Sequence, residues 1–207
     1  IGGSAGGNMD FAHTYIYDNS QCLENHAVVT LVRLQKTYRY GILKSQAVER
    51  TGDVFTVSAA NTPLRYIETV EGPNGEQTPF IQALKNHFGV STTQQLQDKL
   101  QGYTFATDIN GENFIRTIAG IDDANDRISF FCDVVTGEKL YLLRRESLND
   151  TLSRDIRAFS TGKPQPIGGI LNDCILRRLG YPDEIKHIEQ FANLPVAGFS
   201  SSGETAG

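Results

Sequence analysis

Residues 166–199 constrain the fold of this chain more than any other stretch. An apolar run, Ile167 to Leu171, meets polar Asn172 and Asp173, and a short helical pattern follows from Asp173 to Leu179. Gly180-Tyr181-Pro182 makes a turn, a second helix carries Ile185, Ile188 and Ala192 in phase, and Pro195-Val196-Ala197-Gly198-Phe199 closes as another apolar strand. Two strands joined through helices form a crossover, and crossovers of this kind place their strands parallel. A strand, helix, helix, strand unit rules out an all-β or all-α chain. The class predicted is α/β, or α+β, with a mixed sheet and helices packed on it.

The first 70 residues read as an antiparallel meander. Phe11 to Tyr17, Ala27 to Leu34, Thr37 to Leu43 and Val54 to Ala59 are rich in Val, Ile, Thr, Tyr and Phe and are separated by polar or glycine breaks. Leu64 to Val70 is a further strand, and Gly72-Pro73-Asn74-Gly75 is a turn cluster that serves as a candidate internal boundary. The expected division is therefore 1–70 and 71–207. Thr78 before Pro79 starts a helix with Phe80, Leu84 and Phe88 on one face, and Ser91-x-x-Gln94 starts another with Leu96 and Leu100. Strands are then expected at Tyr103 to Ile109, Phe114 to Ile118, Ile128 to Val134 and Lys139 to Arg144, with a hairpin turn at Asn110-Gly111. Ser147-x-x-Asp150 opens a helix whose stripe is Leu148, Leu152, Ile156 and Phe159.

Composition narrows the function classes. With 39% hydrophobic and 21% charged residues, 207 residues suffice to bury a core, so disorder and fibrous repeats are excluded. The formal net charge is -5 and no run of five or more basic residues appears, which argues against nucleic acid and an anionic membrane surface as partners. No apolar run approaches the roughly 20 residues of a membrane span. The three cysteines, Cys22, Cys132 and Cys174, are odd in number and far apart, as free thiols of a reducing compartment would be, so the chain is expected to be cytoplasmic. The chain starts without Met in a glycine-rich run and closes on a serine-rich one, an expectation of ends cut from a longer protein.

Few motifs suggest catalysis. Gly2-x-Ser4-x-Gly6 has the spacing of a nucleophile elbow, but none of His13, His26, His87 and His187 falls in a partner pattern, and a glycine-rich turn is the simpler reading. There is no P-loop lysine, no H-x-x-x-H and no cysteine pair, and the acidic run Asp122 to Asp126 lacks the glycine and distal glutamate of a calcium loop, so neither metal nor cofactor is expected. The opening Ile1-Gly2-Gly3-Ser4-Ala5-Gly6 and the closing Val196-Ala197-Gly198-Phe199-Ser200-Ser201-Ser202-Gly203 echo each other, by chance or as two halves of one architecture. Where the apolar strand runs into its helix, the spacing fits either a ligand site or a surface Asp-Arg pair, Asp173 with Arg177 at i, i+4, beside a buried cysteine. There Asn172 and Asp173 cap the helix, Cys174 sits in its first turn, and Arg177 and Arg178 lie within it. The helix dipole then favours the Cys174 thiolate, making it the most reactive thiol, while Cys132 on the core face of a strand resists.

The run Ile170-Leu171-Asn172-Asp173-Cys174-Ile175-Leu176-Arg177-Arg178-Leu179, with Leu194-Pro195-Val196-Ala197-Gly198-Phe199-Ser200-Ser201-Ser202-Gly203-Glu204, resembles the C-terminal part of the FIST sensory domain. The opening Ile1 to Gly6 with its strands looks like the end of that family's N-terminal part. A serine run stands where many FIST members carry an aromatic after Gly-Phe. The resemblance implies a cytoplasmic, non-enzymatic sensor of small molecules such as amino acids in a bacterial signal-transduction protein. The Leu-Arg-Arg version is similar to FIST regions attached to methyl-accepting chemotaxis domains, with an output module in the full-length chain. It points to Asp173, Cys174, Arg177, Arg178, Ser200, Ser202 and Glu204 as the ligand-binding set, and a homodimer is compatible with it. The rival reading is an acyl-transfer or thiol enzyme using Ser4 or Cys174, which needs a histidine beside one of them.

Overall fold

The computed structural model describes residues 1–7, 12–184, 188, 191–192 and 194–205. The chain divides into two compact units, one made of Ile1–Ala47 with Ser147–Gly207 and the other of Val48–Glu146. In chain order the first unit opens with β1 (Gly2–Gly3), β2 (Ile16–Asp18) and β3 (Gln21–Leu23). The second unit holds β4 (Val48–Asn61), β5 (Tyr66–Glu71), β6 (Gln77–Pro79), α1 (Phe80–Phe88), α2 (Thr93–Leu100), β7 (Tyr103–Ile109), β8 (Glu112–Arg116), β9 (Ile118–Asp122), β10 (Arg127–Phe130) and β11 (Lys139–Arg145). The first unit resumes with α3 (Leu148–Ser160), β12 (Gly169–Cys174), α4 (Ile175–Gly180), β13 (Val196–Ser201) and β14 (Glu204–Thr205).

The second unit is one antiparallel sheet in the order β8-β7-β11-β4-β5-β10-β9, with β6 added beside β5. The 14-residue β4 is its centre, pairing with β11 through Val48 to Thr56 and with β5 through Val57 to Asn61. One face of this sheet is covered by α1 and α2. Phe80, Ile81 and Leu84 of α1 and Leu96 of α2 join Val57, Ile67, Val70, Phe105, Ile128, Leu140 and Leu142 in a single buried cluster. Phe55, Phe80 and Phe105 meet at ring-centroid distances of 5.6–6.0 Å, which adds edge-on aromatic attraction to the burial.

Local signals shift by about a residue wherever the ladder competes with them. Thr78 and Pro79 pair with Val70 and Thr69 as part of β6, so Pro79 rather than Thr78 is the N-cap of α1. The capping box of α2 is Thr92 with Gln95, one residue beyond the expected pair. Ser147 caps α3 as expected, accepting from the Asp150 N–H at 3.2 Å. Glu184 adds a second cap, taking the Ser147 hydroxyl at 3.0 Å and the Asn149 N–H at 3.1 Å. Asn110 and Gly111 have φ of 56° and 85°, the left-handed pair that a tight two-residue hairpin demands. The Asp108 carboxylate takes the Gly111 N–H at 2.8 Å, and Arg50 on the same carboxylate holds its pKa below the usual range.

Five strand expectations differ. The strand expected over Ile128 to Val134 is β10, which stops at Phe130, so Cys132 lies beyond the strand and packs against the core from the segment after it. Ala27–Leu34 and Thr37–Leu43 form no ladder among the described residues. A strand needs a partner for its backbone groups, and none pairs with them among the described residues. The expected strand Phe114–Ile118 splits into β8 and β9 at Thr117, and β9 went unseen because Ala119, Gly120 and Asp122, poor strand formers, interrupt its two isoleucines. Of the expected Phe11–Tyr17 strand, Phe11 lies outside the described residues, and the strand present is β2. The second C-terminal helix also falls largely on residues outside those described. Gly72 to Gly75 forms the expected turn, with the Gly75 N–H on the Gly72 carbonyl at 3.0 Å, and it lies inside the second unit.

The core cluster makes a direct prediction. Phe105→Ala should cost about 3–5 kcal/mol in urea unfolding, because the cavity opens at the centre of the aromatic cluster. Ile109→Ala at the exposed end of the same strand should cost less than about 1 kcal/mol.

Candidate functional site

Strands β12 and β13 are parallel, as the crossover requires, with Gly169 opposite Val196 and each following pair in step to Cys174 opposite Ser201. Both strands therefore end at the same edge, where Asp173 faces Ser200. Gly198 allows this pairing: a Cβ there would come within 1.8 Å of the Leu171 carbonyl oxygen, so no other residue fits. The strand runs through Asn172 and Asp173 rather than ending at them. Cys174 is consequently the N-cap of α4, with no side-chain cap bond, and the expected cap by Asn172 or Asp173 is absent.

Asp173 has a different use. Its carboxylate oxygen Oδ1 accepts from Arg177 Nε at 2.5 Å and from the terminal guanidinium nitrogen Nη2 of the same residue, one helical turn on. The pair is well buried, with side chains 8% and 19% exposed. Arg177 also reaches the Ser45 carbonyl at 3.3 Å, and Tyr181 Oη donates to the Ala47 carbonyl at 2.9 Å. These two contacts tie α4 to the chain just before the first unit is interrupted, and the Ser45 hydroxyl donates to Asp155 of α3 at 2.7 Å. Arg178, about 100° further round the helix, is exposed.

The second side of the edge is the turn after β13. Ser200 Oγ donates to the Asp173 carbonyl at 3.2 Å, and buried Ser201 donates to Glu204 Oε1 at 2.5 Å. Ser202 and Glu204 are exposed. β14 pairs antiparallel with β1, Gly2 opposite Thr205 and Gly3 opposite Glu204. The Ser4 N–H donates to the Gly203 carbonyl at 2.8 Å, and the Ser202 N–H to the Ser4 carbonyl at 2.9 Å. The two glycine-serine runs that echo each other in sequence thus lie side by side. Asp173, Cys174, Arg177, Ser200 and Glu204 belong to one connected neighbourhood, with Arg178 and Ser202 at its exposed border. Sequence reasoning missed Ser45 and Ser201. The carbonyl of Ser45 carries no sequence signal, but the register that sets Ser200 opposite Asp173 also sets Ser201 opposite Cys174.

Two family models match the chain, the FIST N domain over residues 1–72 and the FIST C domain over residues 65–207. The chain belongs to the FIST family. FIST domains are sensory domains. No curated protein and no solved structure matches the chain. The FIST C match contains all seven residues of the expected ligand set, and the FIST N match contains β1 and Ser4.

Within this FIST chain, no histidine contacts Ser4 or Cys174 among the described residues. His13 pairs with Glu24 at 2.9 Å, His26 bonds the Glu24 carbonyl at 2.5 Å, and His87 lies 3.8 Å from Asp53; His187 is outside the described residues. No group of three or more His, Cys, Asp or Glu side chains is close enough to hold a metal, and no helix is long and apolar enough to cross a membrane, in both cases among the described residues.

The thiol expectation is overturned. Burial is the largest influence on Cys174 and pushes its thiol up; the Leu176 and Arg177 N–H groups pull the other way, and the charges of Glu204 and Asp173 add to the rise. A six-residue helix is too weak a dipole to reverse that. Burial likewise raises Cys132. Cys22, exposed on β3, is the accessible thiol. Differential alkylation with peptide mapping at pH 8 should therefore modify Cys22 first, with Cys132 and Cys174 lagging and gaining rate only as pH rises further.

The ion pair yields a second expected outcome. Arg177→Ala or Asp173→Asn should each destabilise the first unit by about 3–5 kcal/mol, since each leaves a buried partner uncompensated. The double change to Met and Leu should recover much of that loss in thermal denaturation.

Proposed function

We propose that this FIST chain is a ligand-binding sensor module rather than an enzyme. It takes an amino acid or a similar small anionic molecule at the shared carboxyl edge of β12 and β13 and regulates an attached output module in a bacterial cytoplasmic signalling protein, such as a chemotaxis receptor. The observation that carries this reading is the parallel register of β12 and β13, which gathers polar and charged side chains from two segments at one sheet end. Ligands collect at such ends because helix N–H groups and short side chains converge there.

The division of labour between the arginines refines the reading. Arg177 is committed to Asp173 and the Ser45 carbonyl, so a ligand carboxylate falls to exposed Arg178, whose planar fork of donors suits it. Glu204, held by Ser201, takes an ammonium group, and Ser200 and Ser202 supply neutral hydrogen bonds. Cys174 lines the site as a protonated, half-buried thiol.

Calorimetric titration with a panel of amino acids and small organic acids tests this. Arg178→Ala should weaken the best ligand at least about tenfold while leaving the melting temperature within a degree or two. Wild-type affinity in both Arg178→Ala and Glu204→Gln would move the site away from this edge.

A further inference from the structure

The chain contains two Asn-Gly steps, Asn74-Gly75 and Asn110-Gly111, and a glutamate follows each, Glu76 and Glu112. Asn-Gly is the step most open to cyclisation, because glycine puts no side chain between its own nitrogen and the asparagine amide. The residue after the glycine is the same in both, so local chemistry is close to equal and the fold decides between them. Both asparagines are exposed at turns of the second unit. A Cβ on Gly75 or Gly111 would meet nothing within 4 Å, so crowding does not separate them either.

The hydrogen bonds do separate them. Cyclisation uses the glycine nitrogen, which has to leave its acceptor and lose its proton. At Gly111 that acceptor is the Asp108 carboxylate, at 2.8 Å, and Asp108 is itself held by Arg50 Nη2 at 2.5 Å. Arg50 also donates to Asn113 Oδ1 at 2.8 Å and lies over the Tyr141 ring at 4.4 Å, so the hairpin tip is clamped from β4 as well as by its own two strands. At Gly75 the acceptor is the neutral Gly72 carbonyl, at 3.0 Å. Among the described residues the rest of that turn is held from within: the Gly72 N–H donates to the Glu76 carbonyl at 2.7 Å and the Asn74 N–H to Glu76 Oε2 at 3.0 Å. A hydrogen bond to a carboxylate is about twice as strong as one to a neutral acceptor, so the Gly111 nitrogen is the harder of the two to release.

We propose that Asn74 is a modification site, the one at which the folded chain deamidates, and that Asp108 protects Asn110 from the same reaction. The Gly75 nitrogen forms a bond to the Asn74 side-chain carbonyl carbon while the bond from that carbon to the amide nitrogen breaks, and the proton lost from Gly75 leaves with the amide as ammonia. Water then opens the cyclic imide at either carbonyl, giving aspartate or isoaspartate. Either product puts a carboxylate on the residue whose N–H holds the Glu76 carboxylate, like charge against like charge. Isoaspartate also adds a methylene to the main chain inside a turn that the Gly75-to-Gly72 bond closes. Beyond the turn, β6 is only three residues long and passes straight into α1 at buried Phe80. Deamidation at Asn74 therefore loosens β6 and the first turn of α1. The proposal is independent of the ligand site at β12 and β13.

The test is peptide mapping of the folded 207-residue chain aged in mildly alkaline buffer, with isoaspartate detection. Asn74 should convert about tenfold faster than Asn110. In urea, where both turns are gone, the two steps should convert at comparable rates. Asp108→Ala should speed conversion at Asn110 and leave Asn74 as it was; the comparison within the wild-type chain needs no variant. Hydrogen exchange over residues 77–84 should quicken in aged wild-type protein and not in aged Asn74→Gln, whose longer amide closes a ring far more slowly. Conversion of Asn110 as fast as Asn74 in the folded chain overturns the proposal, as does the same ratio of rates in urea. So does slower conversion of Asn110 in Asp108→Ala, which would make the carboxylate a base rather than a shield, or unchanged exchange over 77–84 once Asn74 has converted.

Discussion

A β-strand exists only where its peptide groups find a ladder, and that requirement sorts the whole chain. In the second unit it is met through β4, whose two halves hand the sheet from β11 to β5 and so join the strands on either side into one sheet. In the first unit the same requirement is met by small sheets, β12 with β13, β1 with β14 and β2 with β3. Where no partner stands beside a run of equally good β-formers among the described residues, as at Ala27–Leu43, no strand is formed. Sequence propensity is the same in both cases, and only the neighbour differs.

Charge is arranged by the same economy of neighbours. The first unit has a small buried cluster, Ala47, Leu148 and Leu152 with Tyr181 and Ile188 against it, so α4 is not held by apolar contact alone. The Asp173–Arg177 pair and the Tyr181 hydroxyl, which donates to the Ala47 carbonyl, do the holding. A buried ion pair adds little net stability over an apolar pair of the same shape, but it fixes geometry, since either member alone is costly. Here the geometry fixed is the turn of α4 relative to β12.

Much of this was legible in the residues. Asn110-Gly111, Ser147-x-x-Asp150 and the strand Tyr103–Ile109 are local rules obeyed locally, and the parallel pairing of β12 with β13 follows from connectivity alone. What was not legible required knowing a neighbour. Asp173 reads in sequence both as a helix cap and as the i, i+4 partner of Arg177, and which of the two holds depends on the strand not stopping before it, with the pair buried rather than at the surface. Cys174 looks activated by a helix N-terminus and is instead governed by its burial, which no spacing reveals. The FIST resemblance was visible in a segment that includes Gly198, where a Cβ would meet the Leu171 carbonyl oxygen at 1.8 Å.

The adjacent arginines show how one short helix serves two ends. Residues next to each other on a helix point about 100° apart, so a single turn cannot commit both side chains to the same partner. The burial of Asp173 decides which of them turns inward: Arg177, at the i, i+4 position, is the one that can reach it. Arg178 is then exposed at the same strand end by consequence rather than by independent design. On the proposed reading, a group that anchors α4 and a group that meets the ligand share one turn of helix, so a ligand pulling on Arg178 would act on the element that Arg177 ties to Ser45 and, through the Ser45 hydroxyl, to Asp155 of α3.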